Sequence, residues 1–341
     1  MSDDRGTIAI IGAGSWGTAL SVVLGQAGWR VQLWARRADI AEAIASRRRN
    51  PEYLSELELP PSVEATADLG RAAAGASMLI VTVPSQGMRA VCDQLAPHVT
   101  RDQGLVSAAK GLEHETGRRL SELIKDRLGL KGGGRVAVLS GPNLAPEVAA
   151  GVATATVAAC EDGEFADQVQ AALSTPQFRV YTNPDVLGVE LGGALKNIIA
   201  IGAGVADGLG FGDNTKAALL TRGLAEITRL GVALGARAET FRGLSGMGDL
   251  VATCAGRKSR NHTVGYELAQ GRKLADILSD HLPQVPEGVE TTRAALRLAE
   301  RAGVEMPIAA AVHAVLFKEV DPREAVRSLM TRTGRDELEG Y

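Results

Sequence analysis

The sequence is poor in three features that define large classes of protein. It has 3 cysteines, aromatic residues make up 4% of its 341 positions, and no apolar run approaches the ~18 residues of a membrane-spanning helix. The cysteines are odd in number, widely spaced and form no CxxC pair, which favours reduced thiols in the protein core. A net charge of −3 provides no general field that would attract nucleic acid or an anionic membrane. The acidic start MSDDRG is not typical of a signal peptide, so we expect a cytoplasmic protein without a membrane span.

In the first half of the chain, short apolar runs alternate with helix-like segments. Several runs are apolar throughout, which is typical of strands buried on both faces of a sheet. The alternation predicts a doubly wound, mostly parallel α/β sheet of the Rossmann type. The predicted strands are Thr7–Ile11, Arg30–Trp34, Met78–Val83, Gly104–Ala108, Arg135–Leu139, Thr154–Ala159 and Phe178–Tyr181, and the helices between them include Ser15–Ala27, Asp39–Arg48 and Thr116–Leu128.

After about residue 183 the strand-like runs stop and apolar residues follow helical spacing, as at Leu220, Leu224 and Ile227. Asn183-Pro184 is typical of a helix start, with Asn as the cap and Pro at the first helical position. We therefore predict an α/β domain over residues 1–185 and an all-helical domain over residues 186–341.

The segment IAIIGAGSWGTAL (residues 8–20) has the glycine spacing of a dinucleotide-binding turn. Gly12, Gly14 and Gly17 follow an apolar strand and open a helix, which is the context that G-x-G-x-x-G requires. The first glycine permits the tight turn, the second lets the backbone approach a pyrophosphate, and the third lets the helix pack on the strand. The first domain is therefore predicted to bind a dinucleotide.

The residues after the second strand indicate which dinucleotide. NAD-binding domains place Asp or Glu there for the ribose hydroxyls, whereas this chain has LWARR, ending in Arg36 and Arg37. Guanidinium groups suit a 2′-phosphate, so we expect NADP or NAD as cofactor, with NADPH favoured. At least one of these two arginines is expected only to begin a solvent-exposed helix, and we place Arg36 in the cofactor site.

Three further strand ends carry polar or turn-forming residues, in VTVPS (81–85), SAAKGL (107–112) and LSGPNLAPE (139–147). Ligands bind outside the carboxyl ends of the strands in open α/β sheets. Lys110 follows an apolar strand, where a lysine is poorly placed for packing and well placed for an anion. A solvent-exposed loop lysine is the alternative interpretation of Lys110.

The predicted helical domain contains three unusual polar segments. Lys196 and Asn197 lie inside an otherwise apolar helix, and burial would lower the pKa of such a lysine toward the range of a proton donor. Asp249 lies in LSGMGDLVATC, among apolar and small residues. The segment GRKSRNHTVG (256–265) groups Ser259, Arg260 and Asn261 at a predicted helix start, where they could bind a phosphate or form an ordinary basic surface loop. Together these features favour hydride transfer to a small phosphorylated carbonyl compound.

Six motifs now make a resemblance specific: GAGSWGTAL, SAAKGLE, LSGPNLAPEVA, ELGGALKNIIAIGAGVADGLGFGDNTKAALLTRG, GLSGMGDLVATC and SRNHTVG, in this order. Through them the chain resembles the bacterial-type NAD(P)-dependent glycerol-3-phosphate dehydrogenases over nearly its whole length. The resemblance implies an NAD(P)-binding first domain and a substrate-binding, catalytic second domain. It also implies reversible reduction of dihydroxyacetone phosphate to sn-glycerol 3-phosphate for glycerophospholipid synthesis.

The resemblance also implies roles for individual residues. Lys196 is similar to the general acid/base, and Lys110 to a lysine that contacts cofactor and substrate. The implied substrate-binding residues are Lys110, Gly141, Asn143, Lys196, Asp249, Ser259, Arg260 and Asn261. The implied cofactor-binding residues are the glycines of the turn, Arg36 and Arg37, together with Ser15, Trp16, Lys110, Ala145, Arg260, Val285 and Glu287. Two positions depart from the family: Asn143 replaces the usual Ser or Thr, and Pro146 replaces a polar residue.

Two other functions compete with this prediction. A β-hydroxyacid or 6-phosphogluconate-type dehydrogenase also joins a Rossmann domain to a helical one with a Lys-Asn pair, but it explains SRNHTVG less well. A non-catalytic NAD(P)-binding redox sensor leaves Lys196 and Asp249 without a role. The 5 histidines show no metal-ligand spacing, so we expect no metal. A homodimer is compatible with the resemblance, although no segment indicates an interface.

Overall fold

The structure, a computed structural model, describes residues 5–130, 135–255, 259–280, 286–334 and 336–337. Its contacts divide the chain into two compact units, Met1–Ala109 with Leu120–Val186, and Lys110–Arg119 with Leu187–Tyr341. The first unit contains the described strands, and helices build the second. The predicted class, a Rossmann-type α/β sheet followed by a helical region, is confirmed.

The first unit is built on one sheet of eight strands in the order β3-β2-β1-β4-β5-β6-β7-β8. Neighbouring strands are parallel except β6 and β7, which are antiparallel. The chain reverses its direction of strand addition at β1, and ligands bind such sheets at this switch point. The strands are β1 (Thr7–Ile11), β2 (Arg30–Trp34), β3 (Val63–Thr66), β4 (Met78–Val81), β5 (Gly104–Ser107), β6 (Val136–Ser140), β7 (Thr154–Ala159) and β8 (Phe178–Asn183).

Strand β1 shows why the inner strands are apolar throughout. Ile8 and Ile10 pack into the core on one face of the sheet, and Ala9 and Ile11 pack into the core on the other. A polar residue at any of these positions would be buried, so the alternation of polar and apolar residues disappears. The helices that flank the sheet are α1 (Ser15–Gln26), α2 (Ala38–Arg47), α3 (Leu69–Ala73), α4 (Ser85–Leu95), α5 (Leu120–Arg127), α6 (Ala145–Ala149) and α7 (Gly163–Leu173).

Most predicted elements differ from the structure by one or a few residues at an end, and one strand is additional. Strand β3 has the sequence VEAT, which is too short and too polar to register as an apolar run. Asn183 does not cap a helix, because it is the last residue of β8 and pairs with Ala159. Its Oδ1 atom accepts a hydrogen bond from the Asp185 N–H at 2.8 Å. The helix predicted from Thr116 begins at Leu120.

Helices of 4 to 23 residues form the second unit. They are α8 (Val186–Gly208), α9 (Asp213–Ala233), α10 (Ala238–Phe241), α11 (Asp249–Ala255), α12 (Arg260–Ala269), α13 (Leu274–Asp280), α14 (Glu287–Ala302), α15 (Pro307–Phe317) and α16 (Pro322–Met330). Within the described ranges, only α8 is long and apolar enough to cross a membrane by length and composition. Its apolar window is 89% buried inside the protein, as in the core helix of a globular unit.

Two glycines bring α12 against α8. A Cβ atom on Gly204 would lie 1.9 Å from the His262 carbonyl oxygen, and one on Gly265 would lie 1.9 Å from that of Ile201. No larger residue fits at either position without moving a helix, so the two backbones are in direct contact. This contact sets the position of α12, whose first residues belong to the predicted phosphate-binding cluster.

Candidate active site

The glycine-rich turn follows β1 at the switch point of the sheet. Gly12 has φ +122°, a conformation that favours glycine, and a Cβ atom on Gly17 would lie 1.9 Å from the Gly12 carbonyl oxygen. A Cβ atom on Gly14 would meet nothing within 4 Å. Gly12 and Gly17 are therefore required by the protein's own packing, whereas the open space at Gly14 fits the close approach of a ligand.

The start of α1 can hold a cofactor pyrophosphate. The helix begins at Ser15 with Gly14 as its N-cap, no side chain caps it, and no acidic residue occupies its first turn. Free N–H groups and the positive end of the helix dipole therefore remain available to an anion. Trp16 is half-buried and packs on Phe178, with ring centroids 6.4 Å apart.

The two arginines after β2 have different environments. Arg36 is exposed at the end of the strand. Arg37 binds Asp39 through two nitrogens and donates from Nη1 to Glu52 Oε1 at 2.5 Å. These hydrogen bonds, first that of Asp39, raise the pKa of the Arg37 guanidinium. Because two carboxylates already engage Arg37, Arg36 is better placed to bind an incoming phosphate.

The segment after β6 contains three predicted contact residues. Gly141 is buried with φ +156°, and its Cβ position is only 3.0 Å from the Thr156 Cα atom. Asn143 donates from Nδ2 to the Ala155 carbonyl at 3.2 Å and accepts from Thr156 Oγ1 at 2.8 Å. Ala145 is the first residue of α6. The Asn143 side chain is therefore bound to β7, which fixes the turn after β6.

In the second unit, Lys110 and Lys196 bind the same carboxylate, that of Asp249. Lys196 donates from Nζ to Asp249 Oδ1 at 2.5 Å and to Thr253 Oγ1 at 2.5 Å. Lys110 donates from Nζ to the other carboxylate oxygen, Asp249 Oδ2, at 2.7 Å. The Lys196 and Asp249 side chains are 7% and 3% exposed, and that of Lys110 is 22% exposed. Lys196 and Lys110 are thus held side by side despite their like charge.

The surroundings of Lys196 favour proton transfer near neutral pH. Burial lowers the pKa of Lys196 to about 8, because the ammonium ion loses hydration. Asp249 opposes this effect, and the charge of Lys110 adds to it. A lysine in this range can donate a proton as the ammonium ion and accept one as the amine.

Local geometry explains how Asp249 reaches Lys196. A π-helical turn, Leu244–Gly248, precedes α11 and presses against α8, where a Cβ atom on Gly192 would lie 2.8 Å from the Ser245 carbonyl oxygen. Lys196 lies one helical turn after Gly192 on α8, and Asp249 is the first residue of α11. Glycine at position 192 therefore lets the two segments come close enough for the ion pair.

The predicted phosphate-binding cluster lies at the start of α12. Ser259 is the N-cap and accepts a hydrogen bond from the His262 N–H at 3.4 Å. Arg260 is exposed, and Asn261 is buried with Oδ1 accepting from the Gly288 N–H at 2.9 Å. Glu287 is the first residue of α14, so Asn261 links the starts of these two helices. Arg257, Lys258 and Val285 lie outside the described residues.

Two features of the second unit were not predicted from the sequence. Thr253 is a partner of Lys196, and its i,i+4 spacing from Asp249 on α11 is the signal that could have indicated it. The second feature is His262, to which the sequence assigned no role. It is buried, and its Nε2 atom lies 2.8 Å from Asp207 Oδ2, while Lys216 binds the same carboxylate. In the part of the chain that the structure describes, no group of His, Cys, Asp and Glu side chains could hold a metal.

Comparison with family models matches both parts of the chain. Residues 7–166 match the NAD-dependent glycerol-3-phosphate dehydrogenase N-terminus, and residues 185–327 match the C-terminus of the same family. The chain is 51% identical over 332 residues to the glycerol-3-phosphate dehydrogenase [NAD(P)+] of Syntrophotalea carbinolica, covering 97% of this chain and 99% of the relative. It is 50% identical over 330 residues to the glycerol-3-phosphate dehydrogenase [NAD(P)+] of Corynebacterium aurimucosum, covering 97% of this chain and 99% of that relative.

Solved structures agree with the sequence matches. The crystal structure of glycerol-3-phosphate dehydrogenase from Coxiella burnetii superposes with a TM-score of 0.90 at 38% identity, covering 96% of this chain and 99% of the other. The yeast glycerol-3-phosphate dehydrogenase structure superposes with a TM-score of 0.82 at 28% identity, covering 96% and 99%.

Proposed function

The chain belongs to the NAD-dependent glycerol-3-phosphate dehydrogenase family, and from this premise we propose the reaction and the residues that carry it. The enzyme reversibly reduces dihydroxyacetone phosphate to sn-glycerol 3-phosphate. Lys196 is the general acid/base, and the glycine-rich turn at Gly12–Gly17 holds the cofactor. The observation that carries the proposal is the buried ion pair of Lys196 with Asp249. Burial lowers the pKa of this lysine to about 8, although Asp249 opposes the shift.

When bound, NADPH or NADH supplies the hydride that reaches the carbonyl carbon. Lys196, as the ammonium ion, donates its proton to the carbonyl oxygen as negative charge develops there. In the oxidation of glycerol 3-phosphate, the neutral amine of Lys196 takes the proton back. Asp249 holds the lysine in place, and Thr253 receives a second Nζ hydrogen bond, so few orientations remain for the transferable proton.

The other polar residues bind and orient the substrate in this proposal. Lys110 and Asn197 polarise the carbonyl, and Lys110 also contacts the cofactor. Ser259, Arg260 and Asn261 bind the phosphate at the start of α12, where the exposed guanidinium of Arg260 adds charge to the helix N-terminus. Gly141 and Asn143 contribute further substrate contacts, and Ser15, Trp16, Ala145, Val285 and Glu287 contribute cofactor contacts.

We also propose that NADPH is preferred over NADH. Arg36 is exposed and follows β2, where a 2′-phosphate can be bound, and no carboxylate stands in LWARR to compete for the ribose. Arg37 contributes less, because Asp39 and Glu52 already engage it.

We place the enzyme in the cytoplasm, where it supplies glycerol 3-phosphate for phospholipid synthesis, and we propose a homodimer. The free, buried Cys92, Cys160 and Cys254 are compatible with a reducing compartment. We also propose residues 1–185 and 186–341 as the cofactor-binding and catalytic domains.

A substrate comparison tests the proposed reaction. The absorbance of NADPH reports its oxidation with dihydroxyacetone phosphate or with oxidised 3-hydroxyacids as the substrate. In the reverse direction, the same absorbance reports the reduction of NADP with 6-phosphogluconate. We expect turnover with dihydroxyacetone phosphate alone. Turnover with another substrate instead would support a related dehydrogenase, and cofactor binding without any turnover would support a redox sensor.

A further inference from the structure

Asn50 is a buried polar residue that the proposed function does not use. It lies in the segment between α2 and β3, and its side chain is fully buried. Its Nδ2 atom donates to the Ala13 carbonyl at 2.8 Å and to Thr18 Oγ1 at 2.9 Å. Its Oδ1 atom accepts from the N–H groups of Glu52 and Tyr53 at 3.1 and 3.2 Å. Both ends of the amide are therefore engaged, one with the glycine-rich turn and one with its own loop.

The contact with Ala13 fixes the peptide that leads into Gly14. A peptide unit is planar and trans, so its N–H points opposite to its C=O. Since Asn50 holds the Ala13 carbonyl, the Gly14 N–H is directed away from Asn50. No described residue accepts a hydrogen bond from this N–H, and the Cβ position of Gly14 faces open space. The peptide is thus oriented with its donor available to a ligand.

Neighbouring carbonyls of the turn have other partners. Thr82 Oγ1 donates to the Gly12 carbonyl at 2.9 Å, and the Thr18 N–H donates to the Gly14 carbonyl at 2.9 Å. Asn50 is the side chain that binds the carbonyl between them. Without it, the Ala13–Gly14 peptide could rotate and present its oxygen, which would repel a pyrophosphate.

The loop that carries Asn50 is anchored independently of the turn. The Leu59 N–H donates to the Arg48 carbonyl at 2.8 Å, and the Arg48 side chain donates to the Leu59 carbonyl, from Nη2 at 2.8 Å. Leu59 itself is buried in the core. These bonds close the loop on both sides of Asn50 and hold its backbone in place. The Asn50 amide can therefore orient the glycine-rich turn.

We propose that Asn50 is a positioning residue for the cofactor, which holds the Ala13–Gly14 peptide so that the Gly14 N–H can bind the pyrophosphate. This inference rests on the proposed function, because it assumes that the turn binds NADPH. It assigns Asn50 no contact with the substrate.

The test uses Asn50→Asp in the full-length chain. Aspartate keeps the acceptors for Glu52 and Tyr53, and in its ionised form it loses the donor to Ala13. Because burial favours the neutral carboxyl, which would still donate, Kd is measured up to pH 9, where the ionised form is favoured. Thr18→Val is the matched control, since it removes the second partner of the Asn50 amide and leaves the Ala13 contact. The measurements are the Kd of NADPH by fluorescence titration, the melting temperature, and the KM of dihydroxyacetone phosphate at saturating NADPH.

We expect Asn50→Asp to raise the Kd of NADPH about tenfold or more, and Thr18→Val to raise it less than about twofold. The KM of dihydroxyacetone phosphate should stay unchanged in both. An unchanged Kd in Asn50→Asp, or Kd losses that simply follow the melting temperatures of both variants, would overturn the inference while leaving the proposed function intact. A wild-type chain that does not bind NADPH would overturn the proposed function as well.

Hydrogen exchange of the wild-type chain gives a second test if Asn50→Asp does not fold. Saturating NADPH should slow exchange of the Glu52 and Tyr53 amides, because ordering the turn also orders the Asn50 side chain that they bind. Protection of residues 12–17 with no change at Glu52 and Tyr53 would contradict the proposal.

Discussion

The glycine-rich turn of the first unit and the lysine cluster of the second use different chemical groups, backbone N–H groups in the turn and charged side chains in the cluster. The turn consists of consecutive residues and offers backbone N–H groups, with open space where Gly14 has no side chain. The cluster joins side chains from distant parts of the chain, Lys110, Lys196 and Asp249, and depends on their burial. We therefore expect changes in the turn to affect the Kd of the cofactor, and changes in the cluster to affect kcat and its pH dependence.

The largest effect is expected from Lys196→Ala. Loss of a positioned general acid costs roughly 10²- to 10⁴-fold in rate, so kcat should fall by about that factor. The Kd of NADPH, measured by fluorescence titration, should remain within about twofold, because no bond of the cofactor is assigned to Lys196. Lys196→Arg is the control, since arginine keeps the charge but does not release its proton. Near-normal kcat in either variant would remove Lys196 from the mechanism.

Gly14→Ala, in contrast, should weaken the binding of the cofactor. The new methyl group meets no protein atom within 4 Å, so the melting temperature should be unchanged. The methyl group would nevertheless occupy the space of the pyrophosphate, and we expect the Kd of NADPH to rise at least about tenfold. Gly163→Ala, where a Cβ atom also meets nothing within 4 Å, is the control. Equal Kd values for the two variants would show that this space is not used by the cofactor.

Asp249→Asn tests the electrostatic part of the comparison. Removing the carboxylate leaves burial and the charge of Lys110, both of which lower the pKa of Lys196 below its value of about 8. Less ammonium then remains at pH 8, and kcat for reduction at that pH should fall by about tenfold. The loss should be smaller at pH 6. A loss that is independent of pH would indicate that Asp249 acts only through structure.

Arg36→Ala and Arg37→Ala should give the smallest and most selective effects. Arg36→Ala is expected to raise the Kd of NADPH about fivefold while leaving that of NADH nearly unchanged, because only NADPH carries the 2′-phosphate. Arg37→Ala should change both constants less, since Asp39 and Glu52 already engage Arg37. Equal loss for both cofactors in Arg36→Ala would contradict the 2′-phosphate assignment.

The difference between the consecutive residues of the turn and the distant residues of the lysine cluster also explains what could be predicted from the sequence. Strands β1, β2 and β7 were predicted with their observed ends. In β1 the signal is the apolar run of residues 8–11, which is typical of a parallel strand buried on both faces. Strand β3 escaped detection because its four residues include Glu64 and Thr66. The glycine motif was found from local spacing alone.

Non-local contacts could not be predicted in this way. The Lys110 and Lys196 ammonium groups share one carboxylate only because Gly192 admits the turn before Asp249, and this depends on the packing of distant segments. Neither the pairing of His262 with Asp207 nor that of Asn50 with Ala13 has a spacing rule. The pairing of Arg37 with Glu52 likewise brings together residues from α2's start and the following loop.

The most direct test of the central claim, that Lys196 exchanges the proton of the reaction, is the pH dependence of kcat in both directions. Reduction of dihydroxyacetone phosphate requires the ammonium form, so kcat should fall as the pH rises through about 8. Oxidation of glycerol 3-phosphate requires the amine, so its kcat should rise through the same pH. Profiles that run in the same direction, or that show no inflection near this pH, would contradict the account.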